Sequence, residues 1–356
     1  MSTKGVVIST CSPSDEVRGS VLRLRVLVNN LKKKDKWVYC PSLFKSGTIV
    51  VDGISVRYFP LRALDIWLGI MLFFKGWPLT NIMFQRRNIV ESLSEVEEVV
   101  CHLSRTVQHS KFGNNLTVDL CESLSDNYRL RAALLPSFSI KKVFFILEAR
   151  RLSEFEESLA SNASIETLFI SANDSLISKS INYLILPNSI LSNPPKRQST
   201  AFQDKKVIFI GQIDYEPNLY SVMSTSILLN ELDQNYELHV VGSLAKSTKK
   251  KLGEFRNIIV HGFVDNLDDI VPDALCGVAL IENVTGMQNK VLDYLFYGIP
   301  TLVSQDVYDG LPDGSPLLII RDKDELRVAL AMCLSLETRR NLQVRGYKYL
   351  DELNET

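Results

Sequence analysis

Several things are scarce in this chain of 356 residues. Its six cysteines, Cys11, Cys40, Cys101, Cys121, Cys276 and Cys333, are scattered, and no C-x-x-C pair occurs. That pattern suggests neither a zinc site nor a disulfide framework, and fits buried reduced thiols in a cytosolic protein. Net charge is scarce too, at −1. A dedicated nucleic-acid binder needs a basic surface for phosphates, so no nucleic-acid partner is expected. Glycine and proline are few, which argues against general disorder. The longest apolar run, Ile66 to Phe74, is far short of the about 20 residues that span a bilayer. The start, M-S-T-K-G-V-V-I-S-T, leads into a strand rather than a signal peptide. No G-x-G-x-x-G follows a strand and no Walker lysine loop occurs, so the dehydrogenase and P-loop fingerprints are both missing.

What is present is a repeated alternation of short apolar strands and helices. Strands are expected at Val6–Ser9, Trp37–Cys40, Val99–Val100, Leu116–Leu120, Leu168–Ser171 and Tyr183–Leu186, with a hairpin about Asp52-Gly53. A helix is expected over Ser20–Leu31 and another begins near Lys142–Glu148. The stretch Ser192 to Asp204 then breaks the pattern with two prolines and many polar residues. A second alternation follows: strands at Val207–Ile210, His239–Val241, Ile258–Val260 and Leu275–Ile281, and a helix over Leu219–Leu232. The fold class is α/β, with two doubly wound Rossmann-like domains: 1–190, a linker 191–204, and 205–356. Ligands of such sheets sit beyond the carboxyl ends of the strands, so a central cleft faced by both domains is the expected active site.

The most informative segment is Gly286 to Ser304, G-M-Q-N-K-V-L-D-Y-L-F-Y-G-I-P-T-L-V-S. Gly286 permits close backbone approach. Gln288, Asn289 and Lys290 fall where a helix start exposes N–H groups, and Val291, Leu292 and Leu295 keep helical spacing. Gly298 and Pro300 end the helix before a strand at Thr301–Val303. A helix start with a lysine suits a phosphate, and Asp293, one turn on, suits ribose hydroxyls. Together they suggest a sugar nucleotide. An ordinary surface helix is the alternative on spacing alone.

The segment resembles the donor-binding stretch of retaining glycosyltransferases of family 4 (group 1), which have the GT-B fold: G-x-Q-N-K-V-L-E, then G-x-P-V-V. Further segments agree. Phe209-Ile210-Gly211 through Tyr215, Pro217 and Asn218 resembles F-x-G-x-x-x-Y-x-P-N, with Asn218 read first as a helix cap. His261-Gly262-Phe263-Val264 resembles the segment whose backbone meets the base. In the first half, Glu148, Arg150, Phe155 and Glu156 resemble E-x-x-R…Y-E with the spacing one short. Asp119, Ser125 and Asn127 resemble D…S-x-N-Y, and Pro187-Asn188-Ser189 resembles P-N-G-V. The family often carries two glutamates where this chain has Thr285 and Asp293.

The resemblance implies a nucleotide-diphosphate sugar donor, a glycan or lipid-linked acceptor and no cofactor. Donor contacts would come from Gly211, Gly262, Phe263, Gly286, Gln288, Asn289, Lys290 and Asp293. Lys290 would stabilise the leaving diphosphate. His102 and Arg23 would lie near the reacting centre, although a core histidine and a solvated arginine are the plainer readings of those two. Asp322-Lys323-Asp324 looks like a D-x-D metal motif but is better read as a capping box, Asp322 with Glu325; no metal is expected. Lys32, Lys33, Lys34 and Lys36, with the apolar Ile66–Phe74 and Trp77, suggest peripheral contact with the inner face of a membrane, against a solvated helix end and a buried helix. An inactive GT-B scaffold or a sugar-nucleotide epimerase remains the alternative function.

Overall fold

The computed structural model describes residues 4–15, 18–109, 116–121, 123–170, 176–188, 202–232, 235–264, 266–282 and 286–355. Two compact units divide the chain, Met1–Asn188 and Ser189–Thr356. Most of the expected linker, together with Thr285, lies outside the described residues.

The first unit runs β1 (Lys4–Ile8), α1 (Arg18–Asn29), β2 (Asp35–Ser42), β3 (Gly47–Val51), β4 (Ile54–Pro60), α2 (Ala63–Phe74), α3 (Leu79–Ile82) and α4 (Arg87–Ser92). It continues through β5 (Glu98–His102), β6 (Leu116–Asp119), α5 (Leu124–Ala133), α6 (Ile140–Ala160), β7 (Ile165–Phe169) and β8 (Tyr183–Ile185). Its eight strands lie in the order β3-β4-β2-β1-β5-β6-β7-β8. All pairs are parallel except the β3–β4 hairpin that forms one edge. Both faces are covered, as a parallel sheet requires. Val6, Ile8, Val99 and Cys101 point into one core, while Val7, Val38, Val56 and Val100 meet Leu24 and Leu27 of α1 in the other. The chain leaves β1 for β2 on one side and later returns to β5 on the other. That reversal is the unit's topological switch point.

The second unit runs β9 (Gln203–Ile210), α7 (Glu216–Asn230), β10 (Glu237–Val241), α8 (Lys246–Leu252), β11 (Ile258–Gly262), β12 (Ala274–Ala279) and α9 (Asn289–Phe296). Then come β13 (Thr301–Val303), α10 (Gln305–Asp309), β14 (Leu318–Ile319), α11 (Lys323–Cys333) and α12 (Leu336–Glu355). Six parallel strands lie in the order β11-β10-β9-β12-β13-β14. Here the switch point falls between β9 and β12, so the turns after these two strands flank the natural ligand crevice.

Helix α9 stops as its sequence requires. Gly298 takes φ +67°, its N–H donates to Leu295 O, and Ile299 N–H donates to Tyr294 O. This pair of bonds is the Schellman pattern, which needs a left-handed residue at Gly298. The helix seats on β12 through Tyr294, whose ring lies so close to Gly277 that a Cβ there would come within 2.4 Å of Tyr294 Cγ. The buried Tyr294 hydroxyl donates to Val278 O and accepts from Ile210 N–H. One side chain thus ties α9 to both strands of the switch point.

Some expectations are corrected. Helix α1 ends at Asn29, so Lys32, Lys33 and Lys34 lie in the α1–β2 turn and Lys36 in β2, not on a helix end. Lys33 pairs with Glu97 and Lys36 donates to Asn29 O. Asp322 does cap α11, accepting from Glu325 N–H at 2.8 Å, while Glu325 reaches back to Arg321 N–H.

Candidate active site

The second unit gathers its candidate site residues at the carboxyl edge of its sheet. Gly211, Gly242 and Gly262 end or follow the neighbouring strands β9, β10 and β11. Gly242 lies so near the first that a Cβ on it would sit 1.7 Å from Gly211 O, and only glycine fits. Gly242 N–H donates to Gly262 O at 2.8 Å. Phe263, next in the chain, is 46% exposed. Across the switch point, α9 begins at Asn289 with Gln288 as its N-cap, and the Gln288 side chain makes no capping bond. Gly286 has φ +66° and packs its carbonyl against Gly310 after α10.

Lys290 enters this edge from α9 and is 93% buried, being only 7% exposed. Its Nζ donates to Asn218 Oδ1 at 2.7 Å and lies 4.3 Å from the centre of the Phe209 ring. Its Cε would be 3.6 Å from a Cβ at Gly211. Among the described residues no carboxylate pairs with it. Burial therefore pushes its pKa down to about 7. In its protonated form, a buried lysine with one amide partner and a ring below it can pair with an anion from outside the chain. Asn218 is not the expected helix cap. Tyr215 is the N-cap of α7, and Asn218 sits inside the first turn, donating to Gln212 O while it accepts from Lys290. Asp293 is half-buried, one turn beyond Lys290.

The first unit has its own polar cluster at the carboxyl ends of β1, β5 and β6. His102 is 2% exposed, and its Nδ1 lies 2.9 Å from Ser9 Oγ. Burial, offset in part by Asp119, lowers its pKa to about 4, so the imidazole is neutral at pH 7. Arg23 is fully buried, neither solvated nor exposed. Its Nη2 meets Asp119 Oδ1 at 2.5 Å, its Nε meets Oδ2 at 3.0 Å, and its Nη1 reaches Leu186 O at 2.6 Å. His102, Asp119 and Cys121 offer three ligand atoms within 4.8 Å of one another. A cation there would have to sit beside the buried Arg23 guanidinium, which already neutralises Asp119, so this donor set does not suit a metal. The family resemblance pointed to His102 and Arg23 but not to Ser9, whose hydrogen-bond partner lies 93 residues away.

Residues 204–337 match the sequence profile of the glycosyl transferases group 1 family. No curated protein sequence matches the chain significantly. Solved structures match along almost its full length. The E. coli trehalose-6-phosphate structure bound with UDP-2-fluoro glucose superposes with a TM-score of 0.65 and 13% identity, covering 98% of this chain and 96% of that one. The fold is GT-B. Two further GT-B chains make the same point. Anabaena HepE, in complex with UDP and glucose, gives a TM-score of 0.62 at 10% identity over 98% of this chain and 96% of its own. WaaG, a glycosyltransferase involved in lipopolysaccharide biosynthesis, gives 0.61 at 12% identity over 98% and 95%. The profile match spans the second unit's sheet except for Gln203, the first residue of β9, and includes Gly211, Asn218 and Lys290.

Proposed function

We propose that the protein is a retaining, family 4-like glycosyltransferase. It moves a sugar from a nucleotide-diphosphate donor to a glycan or lipid-linked acceptor in cell-surface polysaccharide synthesis. The observation that carries this reading is Lys290, a buried cation without a counter-ion among the described residues, at the switch point of the unit that matches the group 1 profile. In that place the ammonium neutralises the diphosphate as negative charge builds on it during departure, and the pre-set Asn218 bond spares reorganisation. Gly211, Gly262 and Gly286 let the backbone approach the nucleotide. Gln288 and Asn289 line the start of α9, Phe263 offers a ring near the base, and Asp293 accepts from ribose hydroxyls. We assign the acceptor to the first unit, with the neutral His102 and the Arg23–Asp119 pair shaping its polar edge. The reaction is assigned to the cytoplasmic side of the membrane.

No cofactor or metal is needed in this scheme, because Lys290 and the α9 N-terminus supply the positive charge. Activity that survives a chelator fits it; activity abolished by EDTA and restored by magnesium or manganese contradicts it. A second reading, a GT-B scaffold without activity, draws on Asp293, a methylene shorter than the family's glutamate, and on Thr285. Thermal-shift screening of nucleotide sugars, followed by donor turnover with the purified chain, separates the readings. Donor binding with transfer or slow hydrolysis supports the enzyme. Binding without turnover supports the scaffold, and acceptor-independent release of free nucleotide together with an epimerised sugar supports an epimerase.

A further inference from the structure

Ser9 and His102 end the two strands that flank the first unit's switch point. Ile8 of β1 and Cys101 of β5 are in register, so the next residues, Ser9 and His102, stand side by side at the carboxyl edge. A ligand of a doubly wound sheet lies at that edge. Both residues are buried, and both backbones are pinned. Ser9 N–H donates to Tyr39 O at 3.0 Å, and Thr106 Oγ1 donates to His102 O at 3.2 Å. Directly after His102, the buried Leu103 takes φ +69° and ψ 152°. Few residues but glycine adopt that conformation, and such strain collects at functional sites, where the surroundings over-determine the backbone.

The bond between Ser9 Oγ and His102 Nδ1, 2.9 Å long, takes its direction from the neighbours of Ser9. Ser9 Oγ already accepts from Cys11 N–H at 3.2 Å. The Cys11 thiol donates to Ser20 O at 3.6 Å, and burial raises its pKa, which keeps it neutral. The Ser9 proton then has two acceptors in reach, Cys11 Sγ at 3.2 Å and His102 Nδ1. Sulfur is a weak acceptor and an imidazole nitrogen a full one, so Ser9 O–H donates to Nδ1. A neutral imidazole whose Nδ1 accepts carries its proton on Nε2. Nε2 bonds to no group among the described residues, and it is not sealed from solvent. Asp119 stands in register with His102 on β6 but gives both its oxygens to Arg23. Ser9, His102 and Asp119 are therefore not a nucleophilic triad, in which the carboxylate orients the histidine and the serine faces the substrate. Here the serine does the orienting.

We propose that Ser9 is a positioning residue that holds His102 with its proton on Nε2, so that His102 meets a sugar oxygen as a hydrogen-bond donor and not as a base. This deepens the glycosyltransferase reading and rests on it for its purpose, but the tautomer is measured without donor or acceptor. The full chain is prepared with isotope-labelled histidine, and its four histidines are followed at pH 7 by two-bond proton–nitrogen correlation spectra. H102Q identifies the His102 signals. The expected pattern has Nδ1 bare and Nε2 protonated. The bond made at one imidazole nitrogen sets where the proton sits, so S9A should replace the single pattern by an average of both tautomers. Its kcat should fall roughly tenfold with KM little changed, the worth of one hydrogen bond. Circular dichroism and Tm confirm that S9A is folded. A His102 protonated on Nδ1 in the unaltered protein overturns the proposal, whether or not S9A folds. An unchanged His102 pattern in folded S9A, or an unchanged kcat, overturns it as well. The expected pattern, lost in S9A, in a chain that turns over no nucleotide sugar would uphold the hold of Ser9 on His102 and sink the enzymatic reading.

Discussion

Donor affinity should depend on pH through Lys290. In the empty protein its pKa is about 7 because burial strips the ammonium of water and no carboxylate among the described residues replaces it. An anionic diphosphate binds the protonated form. Above pH 7, binding must therefore first recover a proton, and affinity falls toward tenfold per pH unit. Between pH 6 and pH 9 the protonated fraction drops roughly ninetyfold, or about 2.7 kcal/mol. The same shift acts on stability with a definite sign. Between pH 7 and the ordinary lysine value of 10.5, the unfolded chain holds a proton that the folded chain has lost, so the empty protein gains stability as pH rises through that window. Titration calorimetry with a bound nucleotide sugar, in buffers of differing ionisation enthalpy, measures both affinity and proton uptake. Uptake approaching one proton is expected near pH 8.5. Lys290→Arg keeps its charge throughout, so its affinity, whatever its level, should be flat over this range. A flat profile for the unaltered protein, with no proton uptake, would refute the reasoning.

Other substitutions test other parts. Lys290→Ala should weaken donor binding by roughly 1.5–3 kcal/mol, about ten- to a hundredfold, with the fold intact; unchanged kinetics in a folded variant would remove Lys290 from the site. Gly277→Ala should force Tyr294 off β12 and cost roughly 1–3 kcal/mol, seen as a Tm drop of roughly 3–9 °C. An unchanged Tm would show that Tyr294 does not set the seat of α9. Arg23→Ala should cost roughly 3–5 kcal/mol by leaving Asp119 buried and unpaired, and Arg23→Ala/Asp119→Leu should recover part of that in denaturant unfolding. A double variant no more stable than the single one would contradict the pairing.

Much of the second unit was legible because its signals are local. The glycine and proline that end α9 are chain neighbours, and the strand that ends at Gly211 is a short apolar run. The reading faltered where partners are distant in sequence. Asn218 looks like a cap, and only the crossing from β9 to β12 brings Lys290 to it. Arg23 looks like a surface charge until Asp119, 96 residues on, arrives beside it. Helix α12 left little periodic trace because its buried face includes Arg339 and Gln343 among Gly346, Tyr349, Leu350 and Leu353. Arg339 spends its guanidinium on the carbonyls of Ala274 and Leu275. Helix α5 likewise buries Ser125 and Asn127. Helix α2 is the opposite case: apart from Asp65 it is apolar on every side, and its sequence cannot say which face the protein covers.

The central claim is that the second unit holds a nucleotide-diphosphate sugar around Lys290. Hydrogen exchange of the full chain, followed by mass spectrometry with and without a nucleotide sugar selected by thermal shift, tests it most directly. The account predicts protection in peptides containing Gly211–Asn218, Gly262–Phe263 and Gly286–Asp293, lost in Lys290→Ala at the same ligand concentration. Protection confined to residues before 189, or equal protection in the Lys290→Ala protein, would contradict it.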